Sequence, residues 1–205
     1  AVVIMEPLKD GYLANPPREA MDIINSAPVK RTPVDWALQF LWNRPEVSCV
    51  LSGMGNRTMV DQNIASAEAS GVGILSSQEN EIVEKIADIY RKKMIVPCTA
   101  CQYCMPCPSG VNIPQNFALL NNRSFGQDGG IANRVIQWLV TRNYKHLAIN
   151  QNQLKTKENN GRASLCTNCN ACVKKCPQCI NIPDELEKVS AVFDKGQPVK
   201  TFQVG

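Results

Sequence analysis

The chain has 205 residues, of which 44% are apolar and 20% charged, with a formal net charge of +4. This composition excludes wholesale disorder and coiled coil. No uncharged run approaches the ~20 apolar residues of a transmembrane helix, so no membrane span is expected.

Val2-Val3-Ile4-Met5, stopped by Pro7, predicts a buried strand. Gly11 and Asn15-Pro16-Pro17 predict a loop. Thr32-Pro33 is a helix start, with a capping hydroxyl followed by proline at the first helical position. Val34, Ala37, Leu38, Leu41 and Trp42 follow at helical spacing, and Arg44-Pro45 ends the helix. Val47–Leu51 predicts a second strand, within which Cys49 is expected to be a buried small apolar residue. A helix from Arg57 to Ala67 would bury Val60, Ile64 and Ala67. Ser76 and Glu79 suit a capping box for a third helix, with Ile82, Val83, Ile86, Ile89 and Tyr90 as its buried stripe.

Strand–helix–strand–helix is the order of parallel α/β units with right-handed crossovers. Two strands cannot bury themselves, whereas a closed parallel barrel needs about eight. The segment therefore predicts the tail of a larger α/β domain. Residue 1 is alanine where an initiator methionine belongs, and this too points to a start inside a longer chain.

After Pro97 the character changes. Pro114–Asn150 predicts two helices broken at Phe125–Gly130, and Gln151–Gly161 a polar surface linker. A last helix is expected from Pro183 to Phe193, with a frayed tail beyond Gly196. His146, the only histidine, lies in a basic stretch with Arg142 and Lys145 and is expected at the surface.

Of ten cysteines, nine lie in two tight clusters. Disulfide frameworks spread their cysteines through secreted chains, whereas tight clusters without a secretory leader favour metal and a cytoplasmic location. The clusters repeat each other. Cys98-Thr99-x-Cys101-x-x-Cys104 returns 68 positions later as Cys166-Thr167-x-Cys169-x-x-Cys172. Cys107-Pro108-Ser109-Gly110-Val111-Asn112-Ile113-Pro114 returns 69 positions later as Cys176-Pro177-Gln178-Cys179-Ile180-Asn181-Ile182-Pro183.

The second copy has the C-x2-C-x2-C-x3-C-P spacing with which bacterial ferredoxins hold [4Fe–4S] clusters, and the first is one residue shorter before its last cysteine. One curled loop presents three thiolates to three iron corners, and the fourth iron is reached from elsewhere. In two-cluster ferredoxins the distant Cys-Pro serves the other cluster. The expected sets are therefore Cys98, Cys101, Cys104 and Cys176 for one cluster, and Cys166, Cys169, Cys172 and Cys107 for the other. Two Cys₄ zinc sites or a single cluster are the alternatives, although zinc usually pairs two knuckles rather than two triplets. Cys179 stands where the first copy has Gly110, so it is expected to be an added thiol rather than a ligand. Each oxidised cluster with four thiolates carries roughly −2. Two of them offset the formal +4, which removes the charge argument for nucleic acid.

In this order the segments resemble the C-terminal part of the iron–sulfur aldo/keto reductases. Val3-Ile4-Met5-Glu6-Pro7-Leu8 resembles the family's seventh barrel strand, and Val50-Leu51-Ser52-Gly53-Met54 the eighth. Asn56 through Gln62-Asn63 resembles the start of the eighth helix, and Pro97-Cys98-Thr99 onward the ferredoxin-like extension. The resemblance implies an α/β plus α chain. Residues 1–94 would be the C-terminal strands and helices of a (β/α)₈ barrel, and residues 95–205 a helical two-[4Fe–4S] ferredoxin-like domain.

It also implies part of an NADP(H) site at the carboxyl ends of the strands, complete only with the rest of the barrel. Pro7, Leu8 and Gly11 would face the pyrophosphate; Gly53, Met54, Asn56, Gln62 and Asn63 would face the 2′-phosphate and adenine, with Arg57 supplying positive charge. Gly53-Met54 departs from the lysine and serine of many relatives, and Gly53 equally reads as a tight strand-to-helix turn. The family's catalytic Asp, Tyr, Lys and His belong to earlier strands, so this chain by itself is expected to reduce no carbonyl.

Three functions follow as expectations. The first is the end of a nucleotide-binding barrel joined to a two-cluster electron relay, partnered by the missing N-terminal barrel portion and by a redox carrier protein or flavoprotein. The second is a stand-alone ferredoxin-like protein. The third is a helical module stapled by clusters or zinc, with no redox role.

Overall fold

The computed structural model describes residues 1–9, 11–126, 130–148 and 161–203, and the side chains at 130–134, 145 and 146 lie outside that description. The chain divides into two compact units, Ala1–Tyr90 and Arg91–Gly205. No helix among the described residues is long and apolar enough to cross a membrane.

In the first unit β1 (Val2–Ile4) and β2 (Val47–Val50) pair in parallel, with Val3 opposite Cys49 and Ile4 opposite Val50. Four helices accompany them: α1 (Arg18–Ser26), α2 (Pro33–Trp42), α3 (Arg57–Glu68) and α4 (Ser77–Lys93). Helix α2 begins as its sequence predicts, with the Thr32 hydroxyl accepting from the Asp35 N–H at 3.1 Å. Helix α1 is an addition to the sequence reading. Its stripe is short, with Ala20 and Ile24 buried, and it follows directly on Pro17, whose extended backbone forms the N-cap. Prolines that read as loop are here the entry to a helix.

The core of this unit is Ile24, Ala27, Trp36 and Ile82, with Ile23, Val83 and Ile86 packed against it. The sheet is outside that core. Val3 is 57% exposed and Met5 73%, so the strand expected to be buried is formed but open. Cys49 is likewise exposed, contrary to expectation. No residue of α3 is buried, and Ile64 of its expected inner stripe faces solvent. The physical reason is common to all three. Among the described residues the sheet has two strands, and a parallel sheet needs more strands and covering layers to bury its faces.

The capping box at α4 forms: the Ser76 N–H donates to Glu79 Oε2 at 2.8 Å, and the Glu79 N–H returns to the Ser76 hydroxyl at 3.3 Å. Glu79 also pairs with Arg31, which lies 3.5 Å from Asp35 and 4.9 Å above the Trp36 ring. Burial alone would raise the Glu79 carboxyl, but the bonds from Arg31 and Ser76 outweigh it and hold the group below its ordinary 4.5. A depressed carboxyl contributes stability that is full above the ordinary value and is lost as pH falls through the depressed one. Glu79→Gln should therefore cost about 1–3 kcal/mol near neutrality. In urea melts at stepped pH, the gap between parent and variant should close below about pH 4. A gap that stays constant down to acid pH would refute the assignment.

The second unit is helical. It holds helices α5 (Ile113–Phe125), α6 (Gly130–Arg142), α7 (Tyr144–Leu147) and α8 (Ile182–Phe193), with short 3₁₀ turns at Ala163–Leu165 and Val173–Lys175 before α8 and at Val199–Phe202 after it. Helices α5 and α8 are repeat equivalents, beginning Ile113-Pro114 and Ile182-Pro183, and they pack on each other. Phe117 and Leu120 from one meet Leu186 and Val189 from the other in a core that also holds Val96, Val111 and Ile180.

Two expectations change here. Gly161 is buried rather than on a surface linker, while residues 151–160 lie outside the described set. The tail beyond Gly196 is docked rather than frayed: Val199 is buried and the Gln203 amide donates to the Ser124 hydroxyl. The break between α5 and α6 includes residues 127–129, again outside the description. His146 has its backbone in α7, and its side chain is also outside.

Candidate metal centre

Each cysteine motif is tied to α5 just before its first thiol. Ahead of Cys98, the buried Asn121 side chain accepts from the Val96 N–H at 3.0 Å and donates to the Val96 carbonyl at 2.8 Å. Ahead of Cys166, Asn116 donates to the Gly161 carbonyl at 2.7 Å, and the Ala163 N–H donates to the Tyr144 hydroxyl at 3.0 Å. That hydroxyl also bonds Asn116, and the Tyr144 ring stacks on Phe193 at 4.6 Å. Buried polar groups satisfied in this way fix a loop's position more sharply than apolar packing alone.

The loops then curl identically. Ala100 and Gln102 take φ of 52° and 64°, and their repeat equivalents Asn168 and Asn170 take 55° and 59°. Left-handed backbone at alternate residues bends the chain about the intervening Cys101 and Cys169. For Ala and Gln this costs about 1–3 kcal/mol each and is characteristic of ligand clamps. Asparagine tolerates it better, which is a sequence signal visible only in the second copy.

The first triplet and the distant Cys176 share one hollow. Its lining includes Cys98, Cys101, Cys104 and Cys176, floored by Ile113, Phe117, Ile180 and Ile182. The second triplet has Cys107 beside it. The Ser109 and Thr167 hydroxyls are hydrogen-bonded at 3.0 Å, which joins the turn after Cys107 to the loop after Cys166. The equivalent pair by repeat, Gln178 and Thr99, lies in the wall of the first hollow. Ser109, Thr167, Thr99 and Gln178 had no role in the sequence reading. Their signal was the threonine that follows the first cysteine in both copies.

Electrostatics follow this grouping for Cys172, whereas Cys104 feels Cys172 of the other triplet and not Cys176. Burial pushes the Cys104 thiol up to about 12, with Cys98, Cys101 and Cys172 adding to it. Burial also raises Cys172, and the neighbours that add to it are Cys107, Cys166 and Cys169. Thiols held this way are poor free nucleophiles, and a positively charged centre is what would stabilise their thiolates. Among the described residues, no three His, Cys, Asp or Glu side chains converge as they would on a single ion. A cubane carries its irons at separated corners, so its thiolates ring a volume rather than a point. The donor set suits [4Fe–4S] groups, for which Cys98, Cys101, Cys104 and Cys176, and Cys166, Cys169, Cys172 and Cys107, would be the ligands.

Cys179 is exposed and takes a φ of 52° where its equivalent Gly110 takes 76°. The two close the same turn, with the Cys179 N–H donating to Cys176 O at 3.1 Å and the Gly110 N–H to Cys107 O at 2.9 Å. Cysteine therefore occupies a glycine conformation. Cys179→Gly should relieve left-handed strain and stabilise the reconstituted protein by about 1 kcal/mol. Its iron content should be unchanged, and loss of iron would make Cys179 a ligand.

The residues expected around a nucleotide lie in the two loops that follow β1 and β2 and in the first turns of α3. Pro7 and Leu8 are in the turn after β1, where the Leu13 N–H donates to Leu8 O at 3.1 Å, and Gly11 takes a φ of 82°. Gly53 and the exposed Met54 lie between β2 and α3. Asn56 is occupied as the cap of α3, accepting from the Met59 N–H at 2.9 Å, and Asn63 donates to the Ser52 hydroxyl at 3.1 Å. Arg57 forms an exposed ion pair with Asp61 at 2.8 Å, and Gln62 is exposed. Such a pair is worth about 0–1 kcal/mol and yields readily to an anion. No family model, curated protein or solved structure matches the chain.

Proposed function

We propose that the second unit is a two-[4Fe–4S] electron relay, carried on the closing strand–helix units of an aldo/keto reductase-type barrel whose remainder is another segment or chain. The observation that carries this reading is that Cys176 lines the hollow of the first triplet, while the Ser109–Thr167 bond at 3.0 Å draws the turn after Cys107 to the second loop. Zinc knuckles close locally and have no use for such an exchange. When bound, [4Fe–4S] groups supply one-electron transfer at potentials set by charge, hydrogen bonds to sulfur and solvent exposure.

The chain's own residues supply those settings. The Ala100 N–H donates to Cys98 Sγ at 3.4 Å, stabilising negative charge on that sulfur. Ile113, Phe117, Ile180 and Ile182 exclude water from the first site's inner side. The open sheet and bare α3 support the barrel part of the reading, since both have faces suited to further strand–helix units.

Anaerobically reconstituted protein should hold about eight irons per chain and absorb broadly near about 400 nm. Cys101→Ser or Cys169→Ser should remove about half of that iron. Stoichiometric zinc without a visible chromophore would overturn the reading.

A further inference from the structure

Helix α6 is turned inside out. The residues facing its own unit are Gln137, which accepts from Arg123 at 3.1 Å, then Val140, and beyond the helix end the buried Tyr144. Its outer arc carries the larger apolar load: Val135, Ile136, Trp138 and Leu139 are between 44% and 56% exposed. Four large apolar side chains on a solvent face, one of them tryptophan, mark an interaction surface rather than scattered exposure. Arg142 sits within this arc at helical spacing from Val135, Trp138 and Leu139, its guanidinium 5.3 Å from the Trp138 ring.

The α6–α7 stretch carries charge of one sign. From residue 130 to residue 148 the sequence contains no aspartate or glutamate, but it contains Arg134, Arg142 and Lys145. A membrane-surface helix keeps its cations at the edges of the apolar arc, where they reach headgroups. Here the Arg142 guanidinium lies in the middle of the arc, over the Trp138 ring. That is the Trp–Arg pairing of protein interfaces, in which the guanidinium meets a carboxylate across the contact. Val140 packs against the same core as Cys98, Cys104, Cys107, Cys166 and Cys176, so the face belongs to the body that holds the thiols.

We propose that the outer face of α6 — Val135, Trp138, Leu139 and Arg142 — docks an acidic redox-carrier protein, with its carboxylates ringed about an apolar centre. The proposal rests on the electron-relay reading for the identity of the partner as a carrier. Opposite charge accelerates encounter, and the Trp138 contact holds the register.

The test is stopped-flow electron exchange between the reconstituted full chain and a purified acidic ferredoxin as probe carrier, with reduced methyl viologen as a small-molecule control. The parent should exchange with the ferredoxin at a rate that falls steeply with added salt. Trp138→Ala and Arg142→Glu should each slow that exchange by about tenfold or more, and Arg142→Glu should flatten the salt dependence. Iron content and the viologen rate should stay at parent values in both variants. Equal ferredoxin rates in parent and variants would overturn the proposal, as would no ferredoxin exchange by a parent that reacts with viologen. So would a Trp138-dependent shift onto anionic vesicles or into dimers with carrier exchange unaffected, which would make the face a membrane or self-association surface. Failure of the relay reading is distinct: the parent would then bind no iron or leave viologen unoxidised.

Discussion

On the proposed two-cluster reading, replacing Cys107 should extinguish the cluster assigned to Cys166, Cys169 and Cys172 while leaving the one assigned to Cys98, Cys101 and Cys104. Local spacing argues the other way, because Cys107 is one residue nearer its own triplet than the ferredoxin run allows. Two contacts favour the exchange over local spacing. The Ser109–Thr167 bond at 3.0 Å draws the Cys107 turn across 58 residues to the second loop. Cys107 is also the neighbour that most raises the Cys172 thiol after burial. Cys176→Ser should do the reverse, since Cys176 lines the hollow of the first triplet. Each variant should lose about half its iron. EPR of the reduced protein should lose the interaction between two nearby paramagnets in both variants and keep a different single-cluster signal in each. Cys107→Ala repeats the test without a serine oxygen that could itself ligate. Retention of the second cluster in both Cys107 variants would refute the exchange and leave two local sites.

Much of this was legible in the chain because it repeats. Two copies 68 and 69 residues apart reveal which positions are frame and which are filler, so the thiols and the odd place of Cys179 could be read directly. Helix starts carried by Thr32-Pro33 and Ser76–Glu79 were equally plain, because capping chemistry is local. What escaped were facts about long-range neighbours. Burial of Val3, Cys49 and Ile64 was inferred from their own patterns, yet burial depends on a covering layer that periodicity cannot supply. Helix α1 escaped because its apolar stripe is only Ala20, Ile23, Ile24 and Ala27 behind two prolines. The docked tail escaped because Val199 and Gln203 find partners on α5 that lie far away in sequence. Gly161 read as the end of a polar linker because glycine shows the same letter in a loose turn and in a packed strut.

Gly161→Ala should be the most damaging single-methyl change in the second unit. Its φ is 65°, and a Cβ built there would lie 2.0 Å from the Ala148 carbonyl oxygen and 2.9 Å from the carbon behind it. Both obstacles are backbone, so neither can step aside as a side-chain tip would. Gly196 supplies the control, with a φ of 71° and nothing within 4 Å of a Cβ. Gly196→Ala should therefore report left-handed strain alone, about 1–2 kcal/mol. Gly161→Ala should add the clash to that strain, for a total of about 4 kcal/mol or more in denaturant melts. The loss should also be directed. The Gly161 carbonyl accepts from the Asn112 N–H at 3.0 Å and from the Asn116 amide at 2.7 Å. Asn112 follows the Cys107 turn and Gly161 precedes Cys166, so this strut joins the two pieces of the second site. Displacing it should cost the cluster of Cys166, Cys169, Cys172 and Cys107 before that of the first triplet. In titrations with chelator, the variant should release iron in two phases, the first accounting for about half the total. Release in one phase at the parent's midpoint would show that the strut holds the fold without setting the site.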